Sequence, residues 1–232
     1  MAAAEQALSI AETGDPAYSL VVACAGLGSV HVLKGDLDRA ASVLERGLRT
    51  DPGEPVGRVW PFVASTLGAA WTGMGRFDEA LPLLEQAVER AAAMKQMANQ
   101  PLRLARLAEG YVRAGRPESA FPVAVQALEL AEEQRERGHE AYAHWVLGES
   151  WAKRDAPDLD RAEQHYRKGL AAAAQLGMRP LEGHCHWGLG RLAGRRGDAE
   201  GTGGALDAAR HLFGEMEMSF WLRQLETVVR DA

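Results

Sequence analysis

Gly35-Asp36-Leu37-Asp38-Arg39-Ala40, Gly75-Arg76-Phe77-Asp78-Glu79-Ala80, Gly115-Arg116-Pro117-Glu118-Ser119-Ala120 and Gly197-Asp198-Ala199-Glu200 are four similar segments on one grid. The first three glycines stand 40 residues apart. A fourth unit falls on the grid at Asp155 but slips by two residues before Ala162, and the fifth resumes at Gly197. A fixed period in the range of roughly 20–50 residues marks a solenoid, in which each unit packs only on its neighbours. Such arrays present surfaces, so binding is favoured over catalysis from the outset.

Each unit reads as two antiparallel helices, A then B. In the first, Leu27, Gly28 and His31 share one face of helix A, and Ala40, Leu44 and Gly47 share one face of helix B. The same places are taken by Leu67, Gly68, Trp71 with Ala80, Leu84, Ala87, and by Leu107, Ala108, Tyr111 with Ala120, Ala124, Ala127. They recur as Leu147, Gly148, Trp151 with Ala162, Tyr166, Gly169, and as Leu189, Gly190, Ala193 with Thr202, Leu206, Ala209. The i, i+1, i+4 and i, i+4, i+7 spacings place each set on one helical stripe. Small residues recur where the two helices of a hairpin must approach closely.

Boundary signals agree with this phase. Asp15-Pro16 and Gln100-Pro101 put a polar residue before a proline suited to a first helical turn. Asp36 and Asp198 follow turn glycines and are expected to cap B helices. Pro82 and Pro122 fall early in two B helices, where a missing donor costs least. The prediction is twelve helices in one domain spanning 1–232: a lone B-type helix at about 3–13, five hairpins, and a final capping helix at about 217–231. The array is expected to be elongated and curved. Because the first helix lacks its A partner, the chain is expected to be an excised piece of a longer protein.

The net charge of −6 argues against a nucleic-acid backbone as partner, since phosphate binding needs a basic face. No membrane span is expected, as no run of about 18 apolar residues stands out. The N-terminus has no basic segment followed by an apolar one, so no signal peptide is read. Cys24 and Cys185 lie in the first and last repeats, too far apart for a disulfide, and a reducing cytoplasm is the expected location.

Leu-Gly, an aromatic four residues after the Leu, Gly-Asp/Arg and a following Ala resemble the tetratricopeptide repeat. Pro52 after the first B helix fits that pattern, and the 40-residue period implies longer helices than the usual 34-residue unit. The resemblance implies an all-α, right-handed superhelical solenoid. In the C-terminal half, Glu136-Arg137-Gly138-His139-Glu140-Ala141, Leu176-Gly177-Met178-Arg179-Pro180-Leu181, His184-Cys185-His186-Trp187-Gly188-Leu189-Gly190 and Met218-Ser219-Phe220-Trp221-Leu222 resemble the repeat tails of large bacterial signalling proteins with cyclase-like or AAA/STAND ATPase domains. The resemblance implies a regulatory or sensor segment that binds a protein or peptide.

Chemistry is sparse. His184-Cys185-His186 contains metal-ligating side chains, but residues i and i+2 on a helix point about 200° apart and cannot share an ion. Gly26-Leu27-Gly28 and Gly188-Leu189-Gly190 lie mid-helix without a preceding strand, so close packing explains them better than a dinucleotide loop. Gly201-Thr202-Gly203-Gly204 lacks the Lys-Ser/Thr of a phosphate loop and marks a weak fifth B helix. No cofactor, metal or catalytic site is expected.

Helix A residues facing away from helix B should line the concave surface. The projected phase gives Ala25, Ser29, Ser65, Ala69 and Ala105 in an early, small and neutral groove. Glu109, Arg113, Trp145, Glu149, Lys153, Trp187, Arg191 and Arg195 form a late groove that is aromatic and charged, and these eight are the candidate partner-binding residues. The Lys and Asn pattern of related modules that bind chaperone C-terminal tails is missing here. The first reading is a non-enzymatic protein- or peptide-binding scaffold. The second is a receptor for a small peptide or metabolite enclosed by the superhelix. An enzyme using His184, His186, Glu149 and Arg191, and an RNA-binding array, rank below both.

Overall fold

The computed structural model of the chain describes residues 1–13, 17–49 and 57–230. Among them are twelve α-helices and no strand. Helix α1 (Ala2–Thr13) precedes five hairpins: α2 (Ala17–Lys34) with α3 (Leu37–Arg49), α4 (Trp60–Gly73) with α5 (Phe77–Ala93), α6 (Gln100–Arg113) with α7 (Pro117–Gln134), α8 (Arg137–Lys153) with α9 (Leu159–Leu176), and α10 (Arg179–Arg195) with α11 (Ala199–Glu215). Helix α12 (Ser219–Arg230) closes the series. This is an all-α solenoid of antiparallel helix pairs. The expected Asp15-Pro16 start and Pro52 lie outside the described residues.

The turn inside each hairpin is where the repeat was most legible. Gly35, Gly75, Gly115 and Gly197 all adopt a positive φ, between 73° and 82°, which a side chain rarely tolerates. Residues Arg76, Arg116, Asp158 and Asp198 then occupy the N-cap of the B helices, at intervals of 40, 42 and 40. The two-residue slip is thus an insertion in the fourth hairpin turn. Asp198 caps as expected, accepting from Gly201 N at 2.9 Å, and Asp158 does the same for Arg161 N. Asp36 instead lies 3.3 Å from His31 Nδ1. Helix α6 begins at Gln100 with Asn99 as its cap, and the Gln100 amide reaches back to the Val88 carbonyl. A second periodic turn, between hairpins, carries no obvious signature. Lys95, Arg135, Gly177 and Glu217 are all left-handed there, and only one of them is glycine.

Within a hairpin, a large B-helix side chain sits over a glycine of helix A. A Cβ on Gly28 would lie 2.4 Å from Leu44, on Gly68 2.6 Å from Leu84, on Gly148 2.7 Å from the Tyr166 ring, and on Gly190 2.7 Å from Leu206. The third hairpin has Ala108 and Ala124 at these two places instead, both fully buried. Consecutive A helices also pack on one another, α2 on α4, α4 on α6 and α6 on α8.

Two expectations need correcting. Helix α2 is, by length and mean hydropathy (1.4), apolar enough to cross a membrane. In the fold it is the inner helix of the first hairpin and buries Val21, Cys24, Ala25, Leu27, Gly28 and His31. The array is also less elongated than expected. Its accessible surface is 11253 Å², against about 10,300 Å² for a globular monomer of this mass. The coil brings α12 against the α2–α3 turn, with Phe220 and Trp221 over Gly35 and Lys34 Nζ 3.6 Å from Glu217 Oε2.

Glycines in open space and glycines under a side chain predict opposite outcomes. Helix α11 is continuous through Gly203 and Gly204, and a Cβ at either meets nothing within 4 Å. Changing either to Ala should stabilise the chain by up to about 1 kcal/mol, read from urea midpoints. Amide exchange should be fastest in α11 and in α1, which buries no residue. Gly148→Ala should cost about 1–3 kcal/mol, because the Tyr166 ring has no room to withdraw.

Candidate functional site

The A helices form the inner wall of the coil, and two connected cavities open there. The smaller, about 60 Å³, is lined by Glu109, Arg113, Trp145, Glu149, Lys153, Trp187 and Arg191, together with His184 and Trp221. Seven of the eight candidate residues therefore meet in one concavity. The eighth, Arg195, points away and donates to the Ala152 carbonyl at 2.7 Å. The larger cavity, about 330 Å³, runs from Ser29, Val32 and Leu33 on α2 past Ala69, Leu102 and Arg106 to Met178, Leu181 and Trp221. The two share Glu109, Arg113, Trp145, His184 and Trp221.

The larger cavity thus spans all five hairpins and takes in Ser29 and Ala69 of the early groove, which the sequence phase had given as small and neutral. The aromatic, charged end is the tighter one. Trp145 is 7 % exposed, with its ring edge-on to Tyr142 and 5.3 Å from His184. His184 also meets Phe213 and Trp221, at 5.1 and 4.5 Å between centroids. Burial, with Arg113 adding to it, pushes His184 down to about 3, so it is a neutral aromatic wall at physiological pH. His186 does not line either cavity, and burial pushes the Cys185 thiol up, away from the reactive thiolate.

Three helices from two adjacent repeats are tied together by one carboxylate. Glu149 on α8 accepts from Tyr166 Oη on α9 at 2.7 Å, from Arg191 Nη2 on α10, and from Lys153 Nζ at 3.1 Å. Burial by itself would raise its pKa, but Arg191, Lys153 and the Tyr166 hydroxyl hold it well below the usual carboxylate range. Burial would lower the pKa of Arg191, but Glu149 and Tyr166 hold it above its ordinary value. Arg191 also lies 5.4 Å from the Trp187 ring centroid. The pair was expected to face a ligand, yet much of its hydrogen-bonding capacity is spent holding adjacent repeats.

A second buried cation was not anticipated. Arg106 on α6 donates through Nη1 to Ser65 Oγ at 3.1 Å and Thr66 Oγ1 at 2.9 Å. Both hydroxyls donate their own proton to the Phe62 carbonyl, at 3.0 and 2.8 Å, so their lone pairs are turned toward the guanidinium. Ser65 is therefore a supporting residue, not the inert neutral position its sequence suggested. Leu102, Arg106, Glu109 and Arg113 make one stripe at i, i+4, i+7 and i+11, one step round the helix from the projected Ala105, which is buried between A helices. Scanning each A helix for charge at those offsets would have found Arg106.

Because the Glu149 carboxylate is held ionised in the fold, it adds stability above the unfolded carboxylate value of about 4.3 and loses it as pH falls toward the folded one. Glu149→Gln should cost about 3 kcal/mol at pH 7, the low end for breaking a buried pair because Arg191 keeps some exposure. The gap between wild type and variant, read from urea midpoints, should narrow from pH 5 to pH 3.

Residues 23–56 match the model of a tetratricopeptide repeat family. The chain is similar in structure to a Rap protein complexed with Competence and Sporulation Factor: TM-score 0.75, 13 % identity, 92 % of this chain and 59 % of that one. It is also similar to BtubC (BKLC) from P. vanneervenii, with TM-score 0.61 and 21 % identity over 93 % of this chain and 90 % of that one. A Podospora anserina putative kinesin light chain with nearly identical TPR-like repeats aligns at TM-score 0.55 and 16 % identity, over 88 % and 99 %. No curated protein matches the chain. At these identities the likeness concerns the fold, which is that of a tetratricopeptide-type solenoid.

Proposed function

We propose that this chain is a non-enzymatic binding scaffold of a cytoplasmic bacterial signalling protein, and that it receives a small peptide or metabolite inside its coil. The observation that carries the choice of a small guest is the contact of α12 with the α2–α3 turn. Trp221 closes one side of the 330 Å³ cavity while lying against Gly35 and under the Arg113 guanidinium. A cavity of this size falls in the range of about 300–1,000 Å³ that suits small ligands. A folded protein partner would need a long uninterrupted groove, and the contact of α12 with the α2–α3 turn interrupts it. A Rap protein of similar fold forms a complex with Competence and Sporulation Factor, which supports a binding role for this fold. The C-terminal sequence patterns favour the bacterial signalling context.

Glu109, Arg113, Trp145, Glu149, Lys153, Trp187 and Arg191 then form the firm, charged end of the receptor. Arg195 supports it from behind. The absence of a catalytic role rests on the pairing of Glu149 and Arg191 with each other and on the neutral His184 in an aromatic box.

Ala69 lines the large cavity one turn from Thr66, so Ala69→Trp should fill it. Thermal-shift screening of peptide and metabolite fractions should reveal a ligand that raises Tm in the wild type and leaves the folded Ala69→Trp variant unmoved. A protein partner that binds both forms equally, with no small molecule shifting either, would overturn the proposal.

A further inference from the structure

Resting on the enclosed-ligand reading, we infer that the guest is a small apolar monoanion with a non-peptide body, and that Arg106 receives its acid group. Three observations lead there. The first is a buried cation without an anion. Arg106 is 9 % exposed, and among the described residues no carboxylate lies within ion-pair distance of it. The nearest candidate, Glu109, already accepts from Tyr142 Oη and lies 3.7 Å from Arg113 Nη1. A buried guanidinium left without a counter-charge is costly, and a ligand anion removes that cost.

The second is preorganisation. The hydroxyls of Ser65 and Thr66 hold only Nη1, leaving the Nε–Nη2 edge without a protein partner. Since Arg106 lines the large cavity, that edge is the one available to an entering group. Two parallel N–H donors in a fixed plane match a carboxylate.

The third is the wall. Val32, Leu33, Leu37, Leu102, Met178 and Leu181 dominate it, and no Asn or Gln lines it. Ser29 is engaged with the Ala25 carbonyl, His139 with Glu136 and Tyr142 with Glu109, while the indole N–H groups of Trp145 and Trp221 have no partner. A peptide threaded here would find few acceptors for its amide N–H groups, whereas an alkyl or aromatic body needs none. The charges on the wall, Arg106, Arg113 and Glu109, leave one positive charge for the guest to meet.

Calorimetry on the full chain tests this with decanoate, its methyl ester, decylamine, and an apolar tripeptide with a free carboxylate. Decanoate should bind, with the ester and the amine weaker by about 10-fold or more, as expected for loss of a charge-assisted bidentate contact. Arg106→Gln keeps a donor for Ser65 and Thr66 and removes the charge. It should fold with unchanged or higher Tm and lose the preference for acid over ester. If that variant does not fold, Thr66→Val, which unpins the guanidinium, should weaken decanoate several-fold and leave the ester unchanged. Equal binding of acid and ester by the wild type, or tighter binding of the tripeptide than of decanoate, overturns the inference. So does a different small ligand that Ala69→Trp blocks and Arg106→Gln does not affect, and in that case the enclosed-ligand reading survives. Binding of a protein partner alone would overturn both.

Discussion

The seat of a large B-helix side chain over a small A-helix residue is the constraint on which the rest of the structure depends. It sets how closely the helices of each hairpin approach, and that distance sets where the next A helix can lie. Leu44, Leu84, Tyr166 and Leu206 occupy equivalent places, each over a glycine whose Cβ they replace. The Tyr166 seat is the most demanding, because its ring fills the space above both Gly148 and Gly188. One side chain therefore spaces α8 from α9 and α9 from α10. Its hydroxyl then reaches Glu149, so packing and electrostatics meet at the same residue.

Curvature follows from stacking A helices on A helices with small residues between them. Ala25, Ala64, Ala105 and Ala143 are essentially without exposure. With bulk outside and small residues inside, the coil tightens until α12 touches the α2–α3 turn. The positive φ of Gly35, needed for the hairpin turn, also provides the bare backbone on which Phe220 rests. Local turn chemistry and ring closure thus draw on one residue.

Charge is distributed unevenly inside the ring. At the C-terminal end Glu149 pairs with both Arg191 and Lys153, and aromatic rings pack nearby. In the middle Arg106 is held by the Ser65 and Thr66 hydroxyls and lies 5.8 Å from the Phe62 ring centroid, with no carboxylate paired to it among the described residues. A paired cluster chiefly stabilises contacts between repeats, while an unpaired cation is left free to act on a guest. That difference in pairing, more than residue type, separates the two ends of the cavity.

The repeat, the twelve helices, the hairpin turns and the small-over-large pattern were all legible in the sequence, because period and steric size are local properties of the chain. Seven of the eight groove residues were found together for the same reason, since helical phase carries a residue to a face. The misses share a cause. Arg195 sits on the right face but turns to the Ala152 carbonyl, and Ser65 reads as neutral until Arg106 reaches it from a residue 41 positions away. Arg106 lies one step round the helix from the projected line. How far a solenoid closes depends on small angles added over five hairpins, and no single stretch of sequence records their sum. The sequence by itself determined the elements and their faces. Only the tertiary structure decided that the ends meet, and hence which of the inward charges pair and which does not.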